Sequence, residues 1–158
     1  MTSISSSIGT LLFGITTMIG SSAANADIHT IGEICQPSHQ PLVAGESIQY
    51  GSGISNSGRD SANILCAVPR PDIATGASAI FIVQGRNIGG TSSNCGFEIL
   101  SSSGDFKSIE SFTLSGTTSA VAVTIPGTRI TNSDHVFLFC TLPGNNGGQI
   151  VGFTAVGP

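Results

Sequence analysis

The chain has 158 residues, nine of them acidic and five basic, for a net charge of −4. Charged residues make up only 9% of it, against about a quarter in ordinary soluble proteins, so solubility rests on Ser, Thr, Asn and Gly. The length argues for one domain, two at most, and the lack of a polybasic stretch makes nucleic acid and anionic membranes poor partners.

Residues 1–26 contain no Asp, Glu, Lys or Arg. Within them Ile8 to Gly20 form the apolar run IGTLLFGITTMIG, followed by SSAANA. Ala24-Asn25-Ala26 fits the small-residue pattern a signal peptidase accepts, and the run is shorter than the roughly 20 apolar residues of a membrane-spanning helix. No Lys or Arg precedes it, so the amino terminus is its only positive charge. The expectation is a signal peptide over 1–26, cleaved after Ala26, the alternative being a retained tail or anchor. Cys35 follows Gly32-Glu33-Ile34 rather than the small-residue box of a lipoprotein signal, and no hydrophobic tail closes the chain. Residues 27–158 are then a single secreted or periplasmic domain without a membrane span. A domain of that length buries about two-thirds of the surface its unfolded chain exposes, enough for a core.

Beyond the leader the chain reads as strands, with Val, Ile, Phe and Thr between closely spaced Gly, Pro, Asn and Ser. Candidate strands fall at 47–54, 61–68, 78–86, 94–101, 106–114, 119–125, 135–142 and 149–156, and none sustains a helical period. About eight short strands predict an all-β antiparallel two-sheet sandwich. Alternation assigns the inward faces: Ala62, Ile64, Cys66 and Val68; Cys95, Phe97 and Ile99; Val136, Leu138, Cys140 and Leu142. Phe137 and Phe139 take the opposite side of their strand, which predicts a central strand covered on both faces; the alternative is an aromatic contact surface, to which Tyr50 would also belong.

The four cysteines, Cys35, Cys66, Cys95 and Cys140, include no C-x-x-C pair and no histidine at zinc-ligand spacing. The neighbours of Cys66 and Cys140 are apolar, unlike the electropositive setting of a reactive thiolate. An even number in an exported chain predicts disulfides. Three pairings are open; the favoured one is Cys35–Cys66 with Cys95–Cys140, joining inward positions on neighbouring strands or on packed sheets.

Cys66-x-x-Pro69 after an alternating strand, Cys95 in a short strand, FLFCTLP and the closing QIVGFTAV resemble a group of small exported four-cysteine proteins of proteobacteria with no established activity. The similarity spans roughly Cys35 to Val156. It implies export and a disulfide-bonded β fold and brings no reaction with it. Phe137 and Phe139 stand where that group carries tyrosines.

Catalytic groupings are absent from the pattern. His29 and His39 lie in the N-terminal arm, and His135 follows Asp134 directly, so the two would point to opposite faces of a strand and fail as a triad pair. There is no G-x-S-x-G elbow. Glu98, Glu110, Asp72 and Asp105 are not spaced as a glycosidase pair, and scattered acids do not make a calcium site. YGSGISNSG and PGNNGG lack the lysine and helix of a phosphate cradle; they read as turns, with glycine supplying positive φ. No cofactor or metal is expected. With no Trp and one Tyr, a sugar-stacking platform would depend on Phe, which argues against it, whereas recognition through Asn, Ser and Thr stays open. The reading is a non-enzymatic cell-envelope or secreted protein with a structural or adhesive role. Self-association is a corollary, because few charges guard its strand edges. A binding module for polysaccharide or a protein partner is the alternative, and a hydrolase ranks below both.

Overall fold

A computed structural model describes residues 28–30, 35–38, 42, 45–50, 53–69, 73–117 and 119–156 of the protein; the leader expected at 1–26 lies outside these residues. Among the described residues there are eleven strands and no helix. In chain order they are β1 (Ile28–Thr30), β2 (Cys35–Pro37), β3 (Ile48–Tyr50), β4 (Ile54–Asn56), β5 (Ala62–Val68), β6 (Ala79–Asn87), β7 (Ser92–Leu100), β8 (Phe106–Ser115), β9 (Ser119–Ile125), β10 (His135–Leu142) and β11 (Gly148–Val156). They form two antiparallel sheets. The six-stranded sheet runs β3–β4–β11–β6–β9, with β1 also paired to β11; the five-stranded sheet runs β2–β5–β10–β7–β8. The predicted all-β sandwich is the observed one.

The strands form where alternation is cleanest. Ala62, Ile64, Cys66 and Val68 of β5 are buried while Asn63 and Ala67 are exposed, and Ala79, Phe81 and Val83 of β6 are buried. Inward side chains of the two sheets meet in one core, whose largest members are Phe81, Phe97 and Phe153. The rings of Phe81 on β6 and Phe97 on β7 lie 4.7 Å apart between centroids, joining the sheets. Each such ring contributes about 1.5–3 kcal/mol by leaving water.

Both favoured disulfides are present. Cys35 lies directly opposite Cys66 on β2 and β5, and Cys140 directly opposite Cys95 on β10 and β7. Each therefore joins neighbouring strands of the five-stranded sheet, not one sheet to the other. Their sulfurs face the core.

Two differences from the sequence reading have physical causes. The stretch 47–54 is not one strand, because the chain reverses so that Tyr50 pairs with Ile54. In PGNNGG it is Asn145 and Asn146 that adopt positive φ, 56° each, as asparagine tolerates in a tight turn. Gly144 serves close approach instead: a Cβ there would lie 2.2 Å from the Arg59 carbonyl oxygen. This turn and the loop 57–61 close one end of the sandwich around Asn56, which is wholly buried. Its amide donates to the Asp60 and Leu142 carbonyls at 2.6 and 3.2 Å. Its oxygen accepts from the Gly58 and Ser47 amides at 3.0 and 3.3 Å. Asn87 does similar work nearby, donating to the Leu114 carbonyl and accepting from the Ser93 hydroxyl.

Candidate functional site

The five-stranded sheet buries one face and leaves the other open. β10 is central within its sheet, as expected, but its outer face is not covered: Phe137 and Phe139 are half-buried and no described element packs over them. A sandwich has two layers, so each sheet keeps one face toward solvent however central a strand is.

Cross-strand register arranges this open face in rows. In one row Leu65 of β5, Phe139 of β10, Gly96 of β7 and Ser111 of β8 stand side by side. Gly96 is buried because the Phe139 ring covers it; a Cβ at Gly96 would lie 2.6 Å from Phe139 Cζ and 2.7 Å from Cε1. Packing an aromatic ring over a strand glycine restores contact the glycine lacks and holds the ring against the sheet. The next row toward the closed end holds Asn63, Thr141, Asn94 and Thr113. Here the Thr141 hydroxyl donates to the Asn63 side-chain oxygen at 2.7 Å, and the Thr113 hydroxyl to that of Asn94 at 3.3 Å. Each threonine thus donates to its neighbour's side-chain oxygen, and neither amide NH2 has a partner among the described residues. On the other side of the Phe139 row stand Ala67, Phe137, Glu98 and Ile109. Phe137 and Phe139 are two residues apart on one face, about 7 Å along the strand.

Tyr50 is exposed on β3, the edge of the six-stranded sheet, so the structure brings Phe137 and Phe139 together and leaves Tyr50 elsewhere. Asn63, Asn94, Thr113, Thr141 and Gly96 were not singled out as face residues from sequence. Each sits two positions from another outward residue of its strand, but the pattern along a strand does not say which strands are neighbours.

The acidic groups are placed apart. Glu98 is on the open face, whereas Glu110 pairs with Phe97 of the inward row and bonds Arg129, so the two cannot flank one bond. Asp105 accepts from Ser103 in an exposed turn, and Asp72 and His39 lie outside the described residues, as does the side chain of His29. Asp134 is buried and receives Lys107 Nζ at 2.5 Å and the Thr131 amide at 2.7 Å, while His135 is exposed. They do not form the base and orienter of a triad. No group of three or more His, Cys, Asp or Glu able to hold a metal occurs among the described residues, and no described helix is long and apolar enough to cross a membrane.

Burial alone would raise the Asp134 carboxyl, but the bonds from Lys107 and Thr131 outweigh it and hold the pKa below its ordinary 3.8. A depressed folded-state pKa contributes stability that is present above about 3.8 and is lost as pH falls through the lower folded value. Thermal unfolding of the wild type should therefore lose stability between pH 5 and pH 3 more steeply than Asp134→Asn. Equal slopes would show that the ion pair contributes nothing.

Two clefts lie away from the open face. One, about 290 Å3, sits between the loops holding Ile73–Gly76 and Ile130–Ser133; the other, about 340 Å3, lies by Gln84, Arg86 and Val151 on the six-stranded sheet. Neither offers an aromatic ring.

No family model matches the chain, and no curated protein does so by sequence. Among solved structures it is similar to the xylan-binding module CBM15, with a TM-score of 0.55 and 14% identity, over 83% of this chain and 95% of that one. It is also similar to xylanase 10C from Cellvibrio japonicus in complex with xylopentaose, with a TM-score of 0.54 and 12% identity, over 82% of this chain. The chain spans 28% of that enzyme's length. Its structural neighbours include carbohydrate-binding modules. At these identities the likeness is one of fold.

Proposed function

We propose that the chain is a non-catalytic polysaccharide-binding module whose ligand lies across the open face of the five-stranded sheet. The observation that carries this reading is the Phe139 ring, held over Gly96 on an uncovered face and bordered by the Asn63–Thr141–Asn94–Thr113 row. The C–H groups on a pyranose face meet the negative face of an aromatic ring favourably, and the amide row supplies donors for the hydroxyls alongside. Such a platform uses phenylalanine where the lack of Trp argued against stacking. The neighbouring xylan-binding fold favours this reading over a structural or adhesive role. The two disulfides suit export to an oxidising compartment, where such polymers are met.

Affinity electrophoresis of the full chain in gels containing soluble xylan tests it. The wild type should be retarded, and Phe139→Ala, run well below its own Tm because the ring also packs on Gly96, should bind about tenfold more weakly. Equal retardation of both proteins would remove the face from the account.

A further inference from the structure

We propose that Glu98 orients the ligand and sets its specificity, accepting hydrogen bonds from adjacent hydroxyls of a neutral sugar and turning away sugars that bear carboxylates. The proposal rests on the glycan-binding reading above. Glu98 stands in the row between Phe137 and Ile109, two residues from the glycine that carries the Phe139 ring. It is half-buried and has no hydrogen-bond or ion-pair partner among the described residues. The cations on and beside β8 are engaged: Lys107 holds Asp134 and Arg129 holds Glu110.

Among the described residues no hydrogen bond or ion pair offsets the placement of this charge. Glutamate is disfavoured in strands, and partly desolvating an unpaired charge costs free energy. Toward a ligand the same placement is useful. An ionised carboxylate is acceptor-only, with room for two donors at once, and hydroxyl bonds to it are roughly twice as strong as neutral ones. Two adjacent sugar hydroxyls can meet it while the ring rests on Phe139 or Phe137. A uronic acid at the same place would bring a second negative charge beside the first, on a chain whose net charge is already −4.

Isothermal titration of the full chain with an unsubstituted xylo-oligosaccharide and with its glucuronate-bearing counterpart tests this, using wild type, Glu98→Gln and Phe139→Ala. The wild type should favour the neutral sugar about fivefold or more at low salt, with the gap narrowing at high salt. Glu98→Gln keeps the shape and one acceptor, so its Tm should hold. Its affinity for the neutral sugar should fall about tenfold, and the gap to the acidic sugar should close. If Glu98→Gln changes neither affinity nor gap while Phe139→Ala still weakens binding, the role of Glu98 is overturned and the glycan-binding face stands. If the wild type binds neither sugar, both fall.

Discussion

Replacing Cys95 and Cys140 together by alanine should lower the unfolding free energy by about 4 kcal/mol, since the bridge closes a loop spanning 45 residues. For a domain of this size that corresponds to a fall in Tm of about 10–20 °C, read by calorimetry under non-reducing conditions. The bridge across β2 and β5, with a separation of 31 residues, contributes nearly as much by the same reasoning. Losing both would remove a large part of the roughly 5–15 kcal/mol that holds an ordinary domain together. A Tm change below a few degrees in the Cys95/Cys140 double variant would mean that the strands alone carry the fold. Phe97, beside Cys95, and Leu138, beside Cys140, are fully buried, so some of the loss would be packing around the missing sulfurs.

The second large effect is expected at Asn56. Asn56→Leu keeps approximate volume and removes four hydrogen bonds, stranding the Ser47 and Gly58 amides and the Asp60 and Leu142 carbonyls at the closed end. Each buried backbone group left without a partner costs about 1–3 kcal/mol. Ser47 and Asp60 are exposed, so water recovers much of that on the loop side, which leaves about 2–4 kcal/mol in denaturant unfolding. The loss should fall mainly on the packing of loops 57–61 and 143–147, so backbone amides there should exchange faster than those of β7 and β10. A variant within 1 kcal/mol of wild type would show that the loops are not held through this side chain.

Much of the fold was legible because its strands alternate strictly. ANILCAV, NCGFEIL and HVFLFCTL placed Cys66, Cys95 and Cys140 inward from sequence alone; the pairing was favoured among three open ones and is the one present. What escaped were features decided by neighbours across the sheet. β1 and β2 are three residues each and exist through pairing with β11 and β5 rather than through their own propensity. The reversal between Tyr50 and Ile54 was read through as continuous strand despite its Gly-Ser-Gly. Gly96 gave no sign of a role, because its meaning depends on Phe139 standing opposite, a matter of register. Phe137 and Phe139 were correctly set on the outer side of a central strand. The inference that they were covered confused the middle of a sheet with the middle of a protein. Glu98 was read as surface charge, and its place between Phe137 and Ile109 is a matter of the same register.

The most direct test of the binding face is a titration of isotope-labelled protein with an unsubstituted xylo-oligosaccharide, followed by amide and side-chain NMR. Shifts should concentrate at Asn63, Asn94, Gly96, Glu98, Phe137, Phe139 and Thr141, with the six-stranded sheet unmoved. Shifts confined to the cleft between Ile73–Gly76 and Ile130–Ser133, or to the six-stranded sheet, would contradict it.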